Sequence, residues 1–476
     1  MKRGDELTVH VEGFAFEGKS VARIDGMVIF VKGAVPGDTA RVRITKVRKQ
    51  FLEAETLAID YASPLRVEPR CHHFGVCGGC KWQHVNYQEQ LKFKRQHVID
   101  ALERIGGFRG IKVNETIGAD DIYFYRNKME FSFGDRWLTQ EELERRSSQM
   151  EPDELGRFAL GLHILGRFYK VLDIDVCWLQ SEISSRIVNA VRSFSLARRL
   201  STYSTFTHHG YLRNLVIREG KRTGELMVNL VTLDDRPDIL EALRDDLLKE
   251  FPDITTIVNN ITDRKSQVAI GEVEKVYYGP GYITEQLGNK TYQISANTFF
   301  QTNTAQAERL FDIARRIAHL NRNDVVFDLY SGAGTIALFV ADDVAEVVGI
   351  EAVEAAIKDA RRNAVINNVG NCTFVHGELR SRLTKEVEWL EHHPRPHVIF
   401  IDPPRSGMLE KVVRQILALR PERIVYISCN PITQARDLEL LCNNSVYSIC
   451  EVQPIDMFPH TYHIENVVGL SLTTRS

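Results

Sequence analysis

The sequence predicts an α/β protein: a doubly wound C-terminal domain behind an all-β barrel and an α+β middle domain. Three observations carry this. Near the C-terminus, short apolar runs alternate with stretches of helical length, as parallel strands with helical crossovers do. At the N-terminus, brief strand-like runs are punctuated by glycines and carry no helical pattern. Between them, a helical period gives way to alternating strand-like runs. The expected boundaries are 1–61 for the barrel, 62–292 for the middle domain and 293–476 for the doubly wound domain.

The barrel is expected from Leu7-Thr-Val-His-Val11, Met27-Val-Ile-Phe-Val31, Thr39 to Ile44 and Leu52 to Ile59, with turns at Gly13, Gly18, Gly26, Gly33 and Pro36-Gly37. Small barrels of this kind often bind oligonucleotides. Arg41, Arg43, Lys46, Arg48 and Lys49 form a cationic run without an acid among them. It is either a solvated face or a surface that tracks phosphates. With a formal net charge of −3, any affinity for nucleic acid must come from such local patches.

A linker at Ser63-Pro64 leads to Cys71-His-His-Phe-Gly-Val-Cys77-Gly-Gly-Cys80-Lys-Trp-Gln-His84. Clustered thiolates select zinc or an iron–sulfur cluster, and Gly78 and Gly79 would let backbone N–H groups approach the sulfurs. His72, His73 and His84 are nearby fourth ligands of the zinc type, and Cys177 is a distant one. A helix is expected from Tyr87 to Ile105. Leu91, Val98, Leu102 and Ile105 should form its buried stripe, and Lys92, Lys94, Arg95 and Arg104 its exposed face. Strands are expected over Tyr125 to Phe133, Leu212 to Arg218 and Leu226 to Val231. Thr139-Gln-Glu-Glu142, inside a charged segment from Asp135 to Gly156, matches a capping box and predicts a short surface helix.

In the last domain, Asn303 should cap a helix through His319. Asp324 to Asp328, Val347 to Glu351, Cys372 to Val375, His397 to Asp402 and Ile424 to Ile427 should be strands. Gly332-Ala-Gly334-Thr-Ile-Ala337 fits a relaxed dinucleotide loop, and Glu351 stands where a ribose-binding acid is expected. NAD and S-adenosylmethionine both offer an adenosine. Asp402-Pro-Pro at one strand end and Cys429 at the next favour S-adenosylmethionine, because hydride transfer needs no thiol.

Cys429 follows an apolar run and precedes Asn430-Pro431, so it is placed at the ligand edge of an open sheet. A thiolate there can add to C6 of a pyrimidine and make C5 nucleophilic; a base must then remove the C5 proton. His460, His463 and Glu465 are the candidate bases, in Met457-Phe-Pro-His-Thr-Tyr-His-Ile-Glu465.

Together these motifs resemble the RNA 5-methyluridine methyltransferases, specifically the 23S ribosomal RNA uracil-5-methyltransferases with an N-terminal TRAM barrel. The resemblance spans nearly the whole chain. It rests on Cys71-x5-Cys77-x2-Cys80, Tyr125-Arg-Asn-Lys128, Phe300-Gln301-Thr-Asn303, Asp328 to Gly334, Asp402-Pro-Pro-Arg405, Ser428-Cys-Asn-Pro431 and Phe458-Pro-His-Thr-x-His-x-Glu465. It implies a Rossmann-like S-adenosylmethionine-dependent domain, with Cys429 the nucleophile and Glu465 the base. It implies cofactor contacts at Gln301, Tyr330, Glu351, Glu378 and Asp402, and a 4Fe-4S cluster on Cys71, Cys77, Cys80 and Cys177. The implied substrate is 23S ribosomal RNA, with transfer RNA the alternative. A catalytically inactive RNA-binding module is the rival reading. Thr335 and Glu378 depart from residues common in the family, and the Asp135 to Gly156 segment is longer than expected.

Composition agrees with a soluble globular protein: 476 residues, 43% hydrophobic and 26% charged, suit about three domains. Met1 to Glu6 lacks the apolar core of a signal peptide, and no run is long enough to span a membrane. The expectation is a cytoplasmic monomer with RNA, and no membrane, as partner.

Overall fold

A computed structural model describes residues 1–137, 158–266, 269–383 and 394–473. The surface helix expected at Thr139 to Glu142 lies outside them. The chain forms two compact units. One holds Met1–Gly75, Cys80–Asp120 and Pro403–Ser476; the other holds Val76–Gly79 and Asp121–Asp402. Among the described residues no helix is long and apolar enough to cross a membrane.

The first unit opens with a closed barrel of β1 (Glu6–Phe14), β2 (Ser20–Ile24), β3 (Met27–Lys32), β4 (Thr39–Val47) and β5 (Phe51–Tyr61), in the order β1-β2-β3-β5-β4. Alternation decides its inside: Ala40, Val42 and Ile44 of β4 join Val9, Val11, Ile29, Val31, Leu52 and Ala54 in the core. Arg41 and Arg43 therefore point outward. The stretch after the barrel, expected as a linker, is tied down. Buried Asp38 accepts the Ser63 N–H at 2.9 Å, the Val35 N–H at 2.6 Å and Arg66 Nη2 at 2.6 Å. Burial alone would raise the Asp38 carboxyl, but Arg66 and these N–H donors outweigh it and hold the pKa below its ordinary value.

Helix Tyr87–Arg104 follows, with Asn86 accepting the Gln88 N–H as its cap. Two sequence expectations fail on it. Lys94 is fully buried rather than exposed, and Ile105, expected inside, is 47% exposed. Lys94 goes inside because Asp456, far away in sequence, meets it there. Arg95 is half-buried and donates to the Val113 carbonyl at 2.7 Å.

The second unit carries β6 (Lys128–Asp135), β7 (Phe158–Ile164), β8 (Arg167–Asp173), β9 (Leu212–Glu219), β10 (Leu226–Thr232), β11 (Thr256–Ile261) and β12 (Val273–Tyr278). They form one sheet, β12-β11-β10-β9-β6-β7-β8. Helices Glu182–Ala197 and Pro237–Glu250 interrupt the strand series. A hairpin, β13 (Tyr282–Leu287) with β14 (Lys290–Ser295), leads to helix Thr304–Ala318, which Asn303 caps as expected. Then β15 (Val325–Leu329), β16 (Glu346–Glu351), β17 (Cys372–His376) and β18 (Val398–Ile401) pair in parallel, in the order β17-β16-β15-β18. They are the continuous apolar runs read from the sequence, and β15 and β18 are buried along their whole lengths, as parallel strands are.

The first unit ends with β19 (Arg423–Ser428), helix Pro431–Cys442, β20 (Tyr447–Ile455) and β21 (Glu465–Leu472). β21 lies between the other two and pairs antiparallel with both. It is a strand the sequence reading did not place.

The cationic run divides on the structure. All five side chains are exposed, but Arg43 pairs with Glu6 at 2.9 Å and Lys46 with Glu53 at 3.5 Å. Arg41, Arg48 and Lys49 form no ion pair among the described residues and are the cations open to phosphate. Replacing those three by Gln should lower the salt slope of single-stranded RNA binding by about 2, at roughly 0.7 per lost phosphate contact. Affinity titrations at several salt concentrations measure it. An unchanged slope would make the run a solvated face.

Candidate active site

The carboxyl ends of β15, β16, β17 and β18 form one edge, where open parallel sheets place their ligands. Four sequence-predicted residues stand there: Tyr330 after β15, Glu351 at the end of β16, Glu378 after β17 and Asp402 after β18. Glu351 is drawn onto the glycine loop: Oε2 accepts the Gly332 N–H at 3.0 Å and Oε1 the Val353 N–H at 2.8 Å. Glu378 is different. It is exposed and ion-paired with Arg380.

The loop itself is strained where the motif has its glycines. Tyr330 sits at φ +65°, Gly332 at +54° and Gly334 at +78°. A Cβ on Gly334 would stand 2.9 Å from the Phe374 ring, whereas one on Gly332 would meet nothing within 4 Å. Gly334 is thus needed for packing, and Gly332 leaves open room beside the loop.

Buried carboxyls line this edge. Asp328 Oδ2 accepts the Ala337 N–H at 3.0 Å, while Oδ1 and the Ser331 hydroxyl are buried without a hydrogen-bond partner among the described residues. Burial raises the Asp328 carboxyl well above its ordinary range, and Asp402 and Glu351 nearby add to the effect. Burial also pushes Asp402 up to about 7. Orphaned acceptors beside an open glycine loop suit a ligand carrying donors and positive charge.

Gln301 lies on the loop before helix Thr304–Ala318. The motif Tyr125 to Lys128 accounts for its position: Asn127 Nδ2 donates to the Gln301 carbonyl at 2.8 Å and to the Thr304 hydroxyl at 2.9 Å. Asn127 is buried, so the loop is fixed from below. The sequence marked this motif without showing that it acts on Gln301.

The candidate nucleophile and bases lie in the other unit. Ser428 of β19 pairs with Asn466 of β21. Cys429 follows Ser428 and Glu465 precedes Asn466, so the same register carried one step further would oppose them. Directly opposed residues of antiparallel strands lie about 4.5–5.5 Å apart at Cα. Buried Gln434 clamps the two strands, donating to the Tyr426 carbonyl at 2.9 Å and the Asn466 carbonyl at 3.0 Å. Asn430 caps helix Pro431–Cys442 by accepting the Ile432 N–H at 3.1 Å, and its Nδ2 donates to the Arg405 carbonyl at 3.0 Å. Cys429 therefore stands just ahead of a helix N-terminus, whose field favours a thiolate.

The three candidate bases separate. Glu465 is 5% exposed and opens β21 beside Asn466, the partner of Ser428. His463 accepts from Arg405 through Nδ1 at 2.8 Å, which leaves that nitrogen occupied. His460 is buried, with Nδ1 3.3 Å from Gln90 Nε2. Lys81 lies over the Tyr462 ring at 4.5 Å. Burial lowers its amine; Glu17 opposes this, and the positive charges of Lys19 and Arg405 reinforce it.

All four cysteines of the metal motif are half-buried. Gly79 donates its N–H to Cys77 Sγ at 3.4 Å, as expected of a glycine serving a thiolate. Gly78 does not: its N–H goes to the His163 carbonyl at 2.9 Å. His84 packs on the Phe74 ring, and burial holds its pKa at about 4, so it stays neutral.

Comparisons with known proteins agree with this arrangement. The family model described as tRNA (Uracil-5-)-methyltransferase matches residues 240–473, and the TRAM domain model matches 1–57. An uncharacterized RNA methyltransferase of Chlorobaculum tepidum is 44% identical over 98% of this chain and 96% of its own. One of Bacteroides thetaiotaomicron is 43% identical over 96% of this chain and 100% of its own. Among solved structures, the Pyrococcus abyssi tRNA (uracil-54, C5)-methyltransferase in complex with S-adenosyl-L-homocysteine is similar with a TM-score of 0.73. It is 30% identical, over 98% of this chain and 100% of that one.

Gly334→Ala should destabilise the fold by about 1–3 kcal/mol, because strain and a clash act together. Gly332→Ala should cost only the left-handed backbone, about 1 kcal/mol. Denaturant titration distinguishes them, and equal losses would contradict the packing role of Gly334.

Proposed function

Because the chain belongs to the TRAM-containing RNA (uracil-5-)-methyltransferase family, we propose that it methylates carbon 5 of a uridine through a covalent bond from Cys429 to C6. The observation that carries this reading is the β19–β21 register, whose last pair, Ser428 with Asn466, adjoins a thiol on one strand and a buried carboxyl on the other. Bound S-adenosylmethionine supplies the methyl group. As a thiolate, Cys429 Sγ adds to C6 of the uracil, the electrons pass to C5 and O4, and C5 takes the methyl group as the S–CH3 bond breaks and S-adenosylhomocysteine leaves. Glu465 then removes the C5 proton, the C5–C6 double bond re-forms, and Cys429 leaves as thiolate. Only a few per cent of an ordinary thiol is ionised at neutral pH, so the helix N-terminus next to Cys429 contributes to the attack.

Gln301, Tyr330, Glu351, Glu378 and Asp402 are the proposed cofactor contacts. The orphaned Asp328 and Ser331 oxygens and the raised Asp402 carboxyl support that assignment at the sheet edge, and exposed Glu378 fits it least. Cys71, Cys77, Cys80 and Cys177 would hold a 4Fe-4S cluster. The N–H···S bond to Cys77 supports it, and the cluster would serve the fold, since methyl transfer needs no electron. The substrate we propose is 23S ribosomal RNA, because barrel and cysteine motif occur together. The full-length similarity to an archaeal enzyme of transfer RNA favours a second reading, transfer RNA. The target base must leave its stack, so a loop or single strand is the expected site. The three modules at 1–61, 62–292 and 293–476 are proposed to bind RNA, hold the cluster and carry the chemistry.

Incubating the protein with S-adenosylmethionine and either 23S ribosomal RNA fragments or transfer RNA, followed by nucleoside mass spectrometry, tests the reading. 5-Methyluridine should form on ribosomal fragments and disappear with Cys429→Ala. Product on transfer RNA alone would establish the second reading, and no product on either would leave an inactive RNA-binding module.

Asp402 gives a pH signature. Its carboxyl, raised to about 7, is mostly neutral at pH 6 and mostly ionised at pH 8. A cationic sulfonium favours the ionised form, so S-adenosylmethionine should bind up to about tenfold tighter at pH 8 than at pH 6. Titration calorimetry on wild type and Asp402→Asn measures this. The variant should lose the dependence, and a flat wild-type profile would remove Asp402 from the site.

A further inference from the structure

Glu465 opens β21 at the end of a loop, and that loop is gripped by one face of helix Tyr87–Arg104. Asp456 stands at the root of the loop. Its side chain and that of Lys94 are both fully buried, with Nζ 2.5 Å from Oδ1. Lys94 also donates to the Phe458 carbonyl at 3.1 Å, and Asp456 Oδ1 accepts the Phe458 N–H at 3.0 Å. Asp456 Oδ2 accepts the Tyr87 hydroxyl at 2.9 Å. Further along, Gln90 Oε1 accepts the His460 N–H at 3.0 Å, while its Nε2 donates to the Trp82 and Val85 carbonyls at 3.0 and 2.9 Å. The His460 carbonyl in turn accepts the N–H groups of Lys81 at 2.9 Å and Trp82 at 3.0 Å. His460 is held at φ +65°, a conformation a histidine keeps only when its surroundings impose it.

Tyr87, Gln90 and Lys94 are spaced at i, i+3 and i+7, so one helical face supplies all three contacts. That face would ordinarily be apolar. A buried ion pair adds little stability over apolar residues of the same volume, but it fixes geometry, because each charge must keep its partner. The residues it fixes are Asp456, Phe458 and His460, in the nine-residue stretch that ends one position before Glu465. None of the three helix residues faces Cys429 along the β19–β21 register, so an effect of theirs on the chemistry passes through the loop.

We infer that Tyr87, Gln90 and Lys94 are positioning residues for the proton-removal half of the reaction: they hold the Asp456 to Ile464 loop so that Glu465 meets the C5 proton. The inference rests on the proposed roles of Cys429 and Glu465. Attack by Cys429 depends on β19 and on the N-terminus of helix Pro431–Cys442, whereas the contacts Tyr87, Gln90 and Lys94 make to Asp456, Phe458 and His460 fall on the loop. Loosening the loop should therefore slow release of product without slowing attack.

The test compares two RNAs in single-turnover reactions with S-adenosylmethionine. RNA with 5-fluorouridine at the target traps the enzyme after attack and methylation, because fluorine cannot leave as a cation. RNA with uridine must also lose its C5 proton. Tyr87→Phe removes one hydroxyl and is expected to fold; Lys94→Met combined with Asp456→Asn removes the ion pair without leaving a lone buried charge. Thermal melting and S-adenosylhomocysteine binding confirm that each variant is folded. The expected result is 5-fluorouridine trapping within about threefold of wild type. On uridine RNA, turnover should fall at least about tenfold for the double variant and less for Tyr87→Phe, with a covalent adduct accumulating on a denaturing gel. Equal loss of trapping and turnover, or normal turnover in both folded variants, would overturn the inference. If the double variant does not fold, Tyr87→Phe alone decides by the same split. If wild type forms no adduct with 5-fluorouridine RNA, the proposed roles of Cys429 and Glu465 have failed, a result distinct from failure of the positioning network.

Discussion

The antiparallel pairing of β19 with β21 is the constraint on which the reactive part of this protein depends. β19 runs out at Ser428, and β21 begins at Glu465. The last pair is Ser428 with Asn466, so the proposed nucleophile Cys429 and the proposed base Glu465 each adjoin a paired residue of these two strands. Asn430 and Pro431 turn the chain into a helix at once, which leaves the half-buried thiol at a strand end and places a helix N-terminus beside it. Gln434, buried and bonded to both strands, keeps the register from slipping. Each such bond contributes about 1 kcal/mol net, but leaving its partners unmatched inside would cost more.

The parallel strands β15 to β18 solve a different problem. They hold several acids at one edge, where burial drives carboxyls toward neutrality: Asp402 is pushed up to about 7, and Asp328 is raised well above its ordinary range. Mutual repulsion among Asp328, Asp402 and Glu351 adds to that shift. The arrangement is unfavourable by itself, and a positively charged ligand relieves it. A fold that keeps such groups unsatisfied marks its site by the cost it bears there.

Much of this was legible in the chain because the signals were local. Parallel strands buried on both faces read as unbroken apolar runs, so β15, β16, β18 and β19 were recognisable within a residue or two. The barrel was legible for the complementary reason, since Ala40, Val42 and Ile44 alternate with Arg41 and Arg43. What escaped depended on distant partners. Lys94 follows the pattern of an exposed helical cation, and only Asp456, packed against it from the far end of the chain, brings it inside. β21 begins with Glu-Asn after a Pro- and His-rich loop, so its opening looked like a loop end although the strand runs through Val467, Val468 and Leu470. Gly78 was read as serving a sulfur, but its N–H is taken by His163, a residue of β7, which the sequence reading had not placed.

The central claim is that Cys429 and Glu465 act in succession on one uracil ring. Glu465→Gln tests it most directly, because an amide cannot take the C5 proton but leaves attack and methylation intact. The variant is incubated with substrate RNA and S-adenosylmethionine, digested with nuclease and protease, and its RNA-linked peptide sequenced by tandem mass spectrometry. The predicted result is a methylated, C5–C6-saturated uridine attached to Cys429. An adduct without the methyl group, one attached to Cys442 or Cys450, or normal turnover with no adduct would contradict the assignment of these two residues.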